Sequence, residues 1–319
     1  MVQPELYRYF LHSEPVINAF YSSKYIISLT KTSLHLWFRY YGFESDFVET
    51  KKKISQTTEL VQMAQVDDVI IILDKCGALT LVRVDPTQEL DDNKLVVYHL
   101  AKLISSEPCD MHLQFNRLFI AYSNGDLAFV PDISLLITKQ SNFYLQYKVS
   151  ENKKKQLIYT NKDYLFVVTK KNSKVFQIKN QQIVPLAYLS RDPAQPDIST
   201  RDLTSLVVMD DLIVFGDKFG HFSLWSMSEF GFKDLFTQWY QGLEISSLCC
   251  NEQKLIAVGF DKQGSGVLYN LKKAEIFGLF VAHSKKINSS YIVDGMMITS
   301  SDDCSCKLWR LWGDDDVKN

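Results

Sequence analysis

A chain of 319 residues that is 46% apolar, 23% charged and of net charge −2 carries material for a large folded core. It lacks the charge excess of a globally cationic nucleic-acid binder. The length exceeds one ordinary core and falls short of three.

Short β-rich runs recur along the whole sequence. The first, Leu6 to Leu11, alternates and is aromatic. Paired runs follow: Ile26–Leu29 with SLHLW (33–37), Val69–Leu73 with ALTLV (78–82), Leu118–Tyr122 with DLAFV (126–130), and Tyr164–Val168 with SKVFQ (173–177). Three more complete the series: Leu212–Phe215 with HFSLW (221–225), Leu255–Val258 with SGVLY (265–269), and Met296–Thr299 with SCKLW (305–309). The last residues of the second runs recur at steps of 40 to 48 residues, so seven periods account for the chain. An apolar run precedes several pairs, as at Val16–Phe20, Leu60–Met63, Leu206–Met209 and Ile245–Leu248. A more polar run follows several, as at Asp46–Thr50, Lys94–His99, Phe143–Val149 and Glu275–Phe280.

Four strands in each of seven units give an all-β chain, because the turns are too short for βαβ crossovers. Phe230–Tyr240 reads equally as a strand or one helical turn. A four-stranded unit cannot bury both faces alone, whereas stacked units bury them and closure removes the exposed ends. The expected fold is a seven-bladed β-propeller with four antiparallel strands per blade, one domain over residues 1–319. After Trp309 the sequence RLWGDDDVKN is too short and acidic for a fourth strand. Leu6–Leu11 is therefore expected to be the outer strand of the last blade.

The chain resembles the WD40-repeat family of β-propellers as a divergent member. The resemblance rests most firmly on the last repeat, AHSKKINSSYIVDGMMITSSDDCSCKLW. It implies a structural hydrogen-bond relay of His283, Asp303, Ser305 and Trp309. The first repeat keeps His12, Ser33 and Trp37, with Lys31 where the aspartate belongs. The fifth keeps Ser223 and Trp225, with Gly216, Asp217 and Gly220 shaping the turn. The other four have lost most of the signature. The family acts mostly as subunits of larger assemblies.

No nucleophile elbow, P-loop or dinucleotide fingerprint occurs. His35, His99 and His221 lie in or beside strand runs and read as packed or surface residues. Asp302 and Asp303 are adjacent in a turn and point apart, so they do not form an acid–base pair. Asp67–Asp68 and Asp210–Asp211 read as turn caps. The six cysteines do not make a disulfide scaffold. Cys249–Cys250 and Cys304–Cys306 cannot alone supply four zinc ligands, and read as buried thiols. We therefore expect no catalytic residue, cofactor, metal or small-molecule substrate, and a reduced intracellular chain in the nucleus or cytoplasm. No uncharged run approaches the ~18 residues of a membrane helix, and Met-Val-Gln-Pro-Glu does not read as a signal peptide.

Two surface features remain. In a propeller, the turns between second and third strands share one face with the links between blades. That places Lys51, Lys52, Lys53, Lys75, Lys153, Lys154, Lys155, Lys170, Lys171, Lys218, Lys262, Lys285 and Lys286 on a locally basic face. Asp85, Glu89, Asp91 and Asp92 fall on the opposite face, together with Lys272 and Lys273. The longest irregular connection, at 184–203, offers Leu186, Tyr188, Leu189, Arg191 and Arg201 to a protein partner. The reading that follows is a non-catalytic scaffold or adaptor subunit of a multiprotein complex. Its alternative is an RNA-binding accessory subunit of an RNA-modifying or RNA-processing enzyme, working through the lysine-rich face. Only seven of the 35 basic residues are arginine, which weakens the alternative.

Overall fold

The computed structural model describes residues 4–22, 24–39, 47–54, 58–84, 95–100, 102–138, 144–149, 156–161, 163–169, 173–179, 182–188, 203–228 and 231–311. Strand β1 (Glu5–Leu11) comes first. Next come β2 (Val16–Tyr21), β3 (Tyr25–Thr30), β4 (Ser33–Arg39) and β5 (Phe47–Lys53), forming one sheet in that order. A second sheet holds β6 (Leu60–Val66), β7 (Val69–Asp74), β8 (Leu79–Val84) and β9 (Leu95–Leu100). A third holds β10 (Pro108–Gln114), β11 (Arg117–Tyr122), β12 (Asp126–Val130) and, after the single-turn helix α1 (Ser134–Ile137), β13 (Leu145–Lys148). The fourth consists of β14 (Gln156–Asn161), β15 (Tyr164–Thr169), β16 (Ser173–Lys179) and β17 (Gln182–Tyr188). The fifth consists of β18 (Leu203–Met209), β19 (Leu212–Asp217), β20 (His221–Ser228) and β21 (Gly231–Trp239). The sixth consists of β22 (Ile245–Cys250), β23 (Leu255–Phe260), β24 (Ser265–Asn270) and β25 (Glu275–Val281). The last sheet, β26 (Ile287–Val293), β27 (Met296–Ser301) and β28 (Ser305–Arg310), is completed by β1.

That last sheet joins the two ends of the described chain. β1 runs antiparallel to β28, from Glu5 opposite Arg310 to Leu11 opposite Ser305, with a register shift between Leu6 and Arg8. The His12 amide then donates to the Cys304 carbonyl at 2.8 Å. Hairpins between first and second strands are tight because their sequences tolerate positive φ. Phe115 and Asn116 have φ of 48° and 60°, and Asp294 and Gly295 have 49° and 74°.

The chain divides into two compact units, one of Met1–Gln56, Phe215–Phe222 and Gln238–Asn319, the other of Thr57–Val214 and Ser223–Thr237. In the first unit, Phe10, Val16, Ile26, Trp37, Ile298 and Leu308 form one apolar cluster, and Leu268, Phe280, Ile287, Met297 and Trp309 another. The inner strands are also tied by polar groups. Ser246 Oγ donates to the Ile287 carbonyl at 2.6 Å, and Asn288 Nδ2 to the Val16 carbonyl at 2.9 Å. In the second unit, Ile71, Leu81, Leu118, Ile120, Tyr122 and Leu136 make one core, and Phe119, Phe129, Leu165 and Val167 a neighbouring one. Gln62 exchanges two hydrogen bonds of 2.8 Å with the Met111 backbone, and Asp110 accepts from the Ile158 amide. Within each unit, main-chain groups of these inner strands thus find partners on a neighbouring inner strand.

Three local expectations need correction or a decision. Within Phe230–Tyr240, Gly231–Trp239 is strand, as β21. The irregular connection does not begin at Val184, because Val184 to Tyr188 belong to β17 and pair with β16. Pro185 is tolerated because β17 is an edge strand, and the register shifts between Val175 and Phe176 beside it. Lys51–Lys53 lie in β5 itself rather than in a link. Among the described residues, no helix is long and apolar enough to cross a membrane.

Candidate functional site

In the last sheet, Trp309 Nε1 donates to Thr299 Oγ1 at 3.0 Å. An indole N–H can only donate, so the threonine hydroxyl is free to pass its own proton on. Thr299 Oγ1 lies 2.8 Å from His283 Nε2, and His283 Nδ1 lies 3.0 Å and 3.2 Å from the Asp303 oxygens. The bond directions assign the proton of a neutral His283 to Nδ1, donating to the Asp303 carboxylate. Ser305 Oγ donates to Asp303 Oδ1 at 2.6 Å, and the Ser284 amide donates to the other oxygen at 3.1 Å. Burial pushes His283 down to about 4 against the attraction of Asp303. Burial works to raise the Asp303 carboxyl, but the Ser305 hydroxyl and the other donors outweigh it and hold it below the carboxylate range. A neutral histidine with both nitrogens occupied fastens strands and has no spare proton to trade.

The first sheet repeats half of this. His12 Nε2 lies 3.2 Å from Ser28 Oγ, at the same sixteen-residue separation as His283 and Thr299. His12 Nδ1, the atom that would meet the aspartate, is buried with no hydrogen-bond partner among the described residues. Burial, then the His35 and Lys51 charges, push His12 down to about 3. Its ring meets His35 and Trp37 edge-on, with centroids 4.4 and 5.1 Å away. Ser33 is buried, with Oγ 3.3 Å from Thr32 Oγ1. His35 Nδ1 is 2.6 Å from Glu49 Oε1 on the neighbouring strand.

The fifth sheet is built differently. Trp225 is buried. Ser223 Oγ faces Thr237 Oγ1 at 2.9 Å. The residue at the position of Ser305 and Ser33, two before the lysine or histidine of the shared pattern, is His221. Its Nδ1 is 2.8 Å from the buried Asp217 Oδ2, while Asp217 Oδ1 accepts from the Phe219 and His221 amides. The hydroxyls of Thr299 and Ser28 were missed in the sequence because they sit on the middle strand. The common spacing from the histidine was the available signal.

The lysines expected on one face are placed only in part. Lys51–Lys53 are exposed on the outer strand β5. Lys75 follows β7 and approaches Glu59 at 3.8 Å, Lys262 donates to the Gly242 carbonyl at 3.0 Å, and Lys285 and Lys286 follow β25. Lys153–Lys155, Lys170 and Lys171 lie outside the described residues, as do Leu189, Arg191 and Arg201. Leu186 and Tyr188 are placed as backbone in β17.

A surface that the sequence did not single out is apolar. Seven large apolar side chains are more than half exposed among the described residues, and four of them fall in two pairs, Phe219 with Trp239 and Leu279 with Val281. Trp239 Nε1 donates to the Phe219 carbonyl at 3.0 Å, and the His221 ring stacks on the indole at 5.8 Å. The next residue, Tyr240, lines a cleft of about 470 Å³ with Leu243, Val267, Leu279 and Val281. Gly220 has φ +88°, and a Cβ there would fall 2.1 Å from the Tyr240 carbonyl oxygen. The turn carrying Phe219 is therefore pinned from below by Asp217 and beside by Tyr240.

No family model and no curated protein matches the sequence. Among solved structures, the WD40 β-propeller domain of Doa1 superposes with a TM-score of 0.71 over 97% of each chain, at 13% identity. The fold is that of a seven-bladed β-propeller. The computationally designed Ika8 protein superposes with a TM-score of 0.66 at 12% identity, covering 96% of this chain and 98% of the other. In the propeller, the seven sheets are the blades, and β1 completes the last. Among its described residues, no group of three or more His, Cys, Asp or Glu side chains could hold a metal ion.

Proposed function

We propose that the propeller is a non-catalytic scaffold, one domain over residues 1–319, that holds a protein partner inside the cell, in the nucleus or cytoplasm. The observation that carries this reading is two exposed apolar pairs, Phe219 with Trp239 and Leu279 with Val281, each residue more than half exposed, linked by Tyr240, which follows Trp239 and lines the cleft beside Leu279 and Val281. Soluble surfaces carry single exposed apolar residues freely, but a gathered patch rimmed by polar groups is what interfaces use. Trp239 is an anchor of the type that dominates binding energy, held by a hydrogen bond and a stacked ring so that little entropy is lost on docking. The saturated His283 relay supports a structural role for the polar core. The test is crosslinking and affinity purification of the full chain against the Phe219→Ala/Trp239→Ala double variant. We expect a stoichiometric partner crosslinked through Lys218 or Lys262 and lost from the variant. Equal recovery by both proteins would remove the basis of the reading.

The exposed row Lys51–Lys53 favours a second reading, an RNA-facing accessory subunit. It requires retention on immobilised RNA at low salt that fades steeply as salt rises. Replacing the three lysines by glutamine should then abolish retention.

A further inference from the structure

We propose that the outer edge of β25 receives an extended, acidic-ended apolar segment of a partner protein as a fifth strand of its blade. This rests on the scaffold reading and names the chemistry of what is held. β25 is the terminal strand of its sheet, so one row of its main-chain groups has no strand opposite among the described residues. Such a row pairs readily with an incoming strand. The register with β24 shifts at Leu268–Tyr269, so the regular stretch open to pairing runs from Gly278 to Val281.

Side chains on this stretch divide by face. The Phe280 ring turns inward over Gly266, where a Cβ would fall 2.3 Å from its Cζ, and reaches Trp309 with centroids 6.3 Å apart. Leu279 and Val281 stay out, 55% and 75% exposed, beside the cleft lined by Tyr240 and Leu243. The cleft has no charged residue in its lining and has room for one or two aliphatic side chains. The edge of β5 is different, because Glu49 and Lys51–Lys53 guard it with charge.

Charge fixes the character of the segment's end. The hairpin beyond Val281 is held by bonds from the Ala282 and His283 amides to the Gly264 carbonyl. It presents Lys262, and the link presents Lys285, both exposed, with Lys218 exposed on the turn before Phe219. The nearby carboxylates are partly committed. Asp217 is buried against His221, Asp261 accepts from the Glu244 amide, and Asp303 belongs to the relay, leaving Glu244 as a half-buried counter-charge. The exposed ions are cations, which suit acidic residues at that end of the segment.

The test uses the full chain and a fluorescein-labelled peptide, Glu-Glu-Thr-Leu-Thr-Val-Thr-Leu-Thr, read by fluorescence polarisation. Micromolar binding is expected. Leu279→Glu and Val281→Lys, both at exposed positions, should each weaken it at least about tenfold. Lys218→Glu combined with Lys262→Glu should weaken it several-fold and flatten its salt dependence. N-methylation of alternate peptide amides should abolish it by removing main-chain donors. Equal binding of the N-methylated peptide, or unchanged binding by both Leu279→Glu and Val281→Lys, overturns the proposal. A dimer in sedimentation velocity that those substitutions dissolve would give the edge to a second copy and overturn it too. If no peptide binds while a partner is still lost from the Phe219→Ala/Trp239→Ala variant, strand addition fails and the scaffold reading stands.

Discussion

His12 occupies the place in the first blade that His283 occupies in the last, and lacks the carboxylate that completes the relay. Lys31 stands two residues before Ser33, as Asp303 stands two before Ser305. The orphaned His12 Nδ1 is therefore a cost that one substitution can address. Lys31→Asp is expected to stabilise the protein by about 1 kcal/mol, the net worth of one added hydrogen bond. The gain should vanish in a His12→Ala background, where nothing remains for the new carboxylate to accept from. Asp303→Ala should do the reverse, costing about 1–3 kcal/mol by stripping His283, Ser305 and the Ser284 amide of their acceptor. Urea midpoints of the parent, Lys31→Asp, His12→Ala, the double variant and Asp303→Ala decide both. A Lys31→Asp midpoint at or below that of the parent would show that the shorter β3–β4 turn cannot aim a carboxylate at the ring.

At the scale of the element, β1 is the most consequential strand, because its one sheet partner, β28, lies at the other end of the sequence. Phe10 on β1 packs against Trp37 at 4.8 Å and Phe47 at 5.5 Å, so the strand also covers the first blade. Deleting residues 1–12 would unpair β28 and uncover Trp37. Amides of Ser305–Arg310 should then exchange faster, melting should fall by several degrees, and a synthetic peptide of residues 1–12 should restore both in trans. Unchanged exchange in β28 would contradict the pairing. This closure was legible in the sequence, since an alternating aromatic run at one end met a blade short of one strand at the other. The extent of β17 was not. Pro185 signals a break unless one knows that β17 is an edge, and edge status depends on the next blade. Lys51–Lys53 misled for a related reason. A charge run reads as a loop, yet an outer strand tolerates charge because its far side faces solvent.

For the whole molecule, periodicity carried the fold because packing repeats it seven times, whereas the apolar surface has no period. Leu279 and Val281 look in sequence like their buried neighbour Phe280; strand alternation turns them to the opposite face, and nothing in the sequence says that this face is left open. Buried histidines have a consequence at this scale as well. Burial lowers His12 to about 3, His112 to about 4 and His283 to about 4, and all three ordinarily titrate near 6.5. Above 6.5 they are neutral in both folded and unfolded chains, and pH leaves their contribution unchanged. As pH falls below 6.5 the unfolded chain takes up protons that the folded chain refuses, so stability drops, and it levels off only below the folded values. Each histidine adds a slope of about 1 kcal/mol per pH unit within that window. Asp303, held below its ordinary range, adds loss in the same direction at lower pH. The expected outcome is a steep fall of the urea midpoint between pH 6.5 and 4.5. His112 Nδ1 is 2.7 Å from Thr160 Oγ1 and takes no part in the relay's bonds, so His112→Gln should flatten the slope by about a third. A midpoint that holds level to pH 4.5 would mean that the folded propeller accommodates charged histidines in its core, and the neutral relay derived for His283 would have to be abandoned with it.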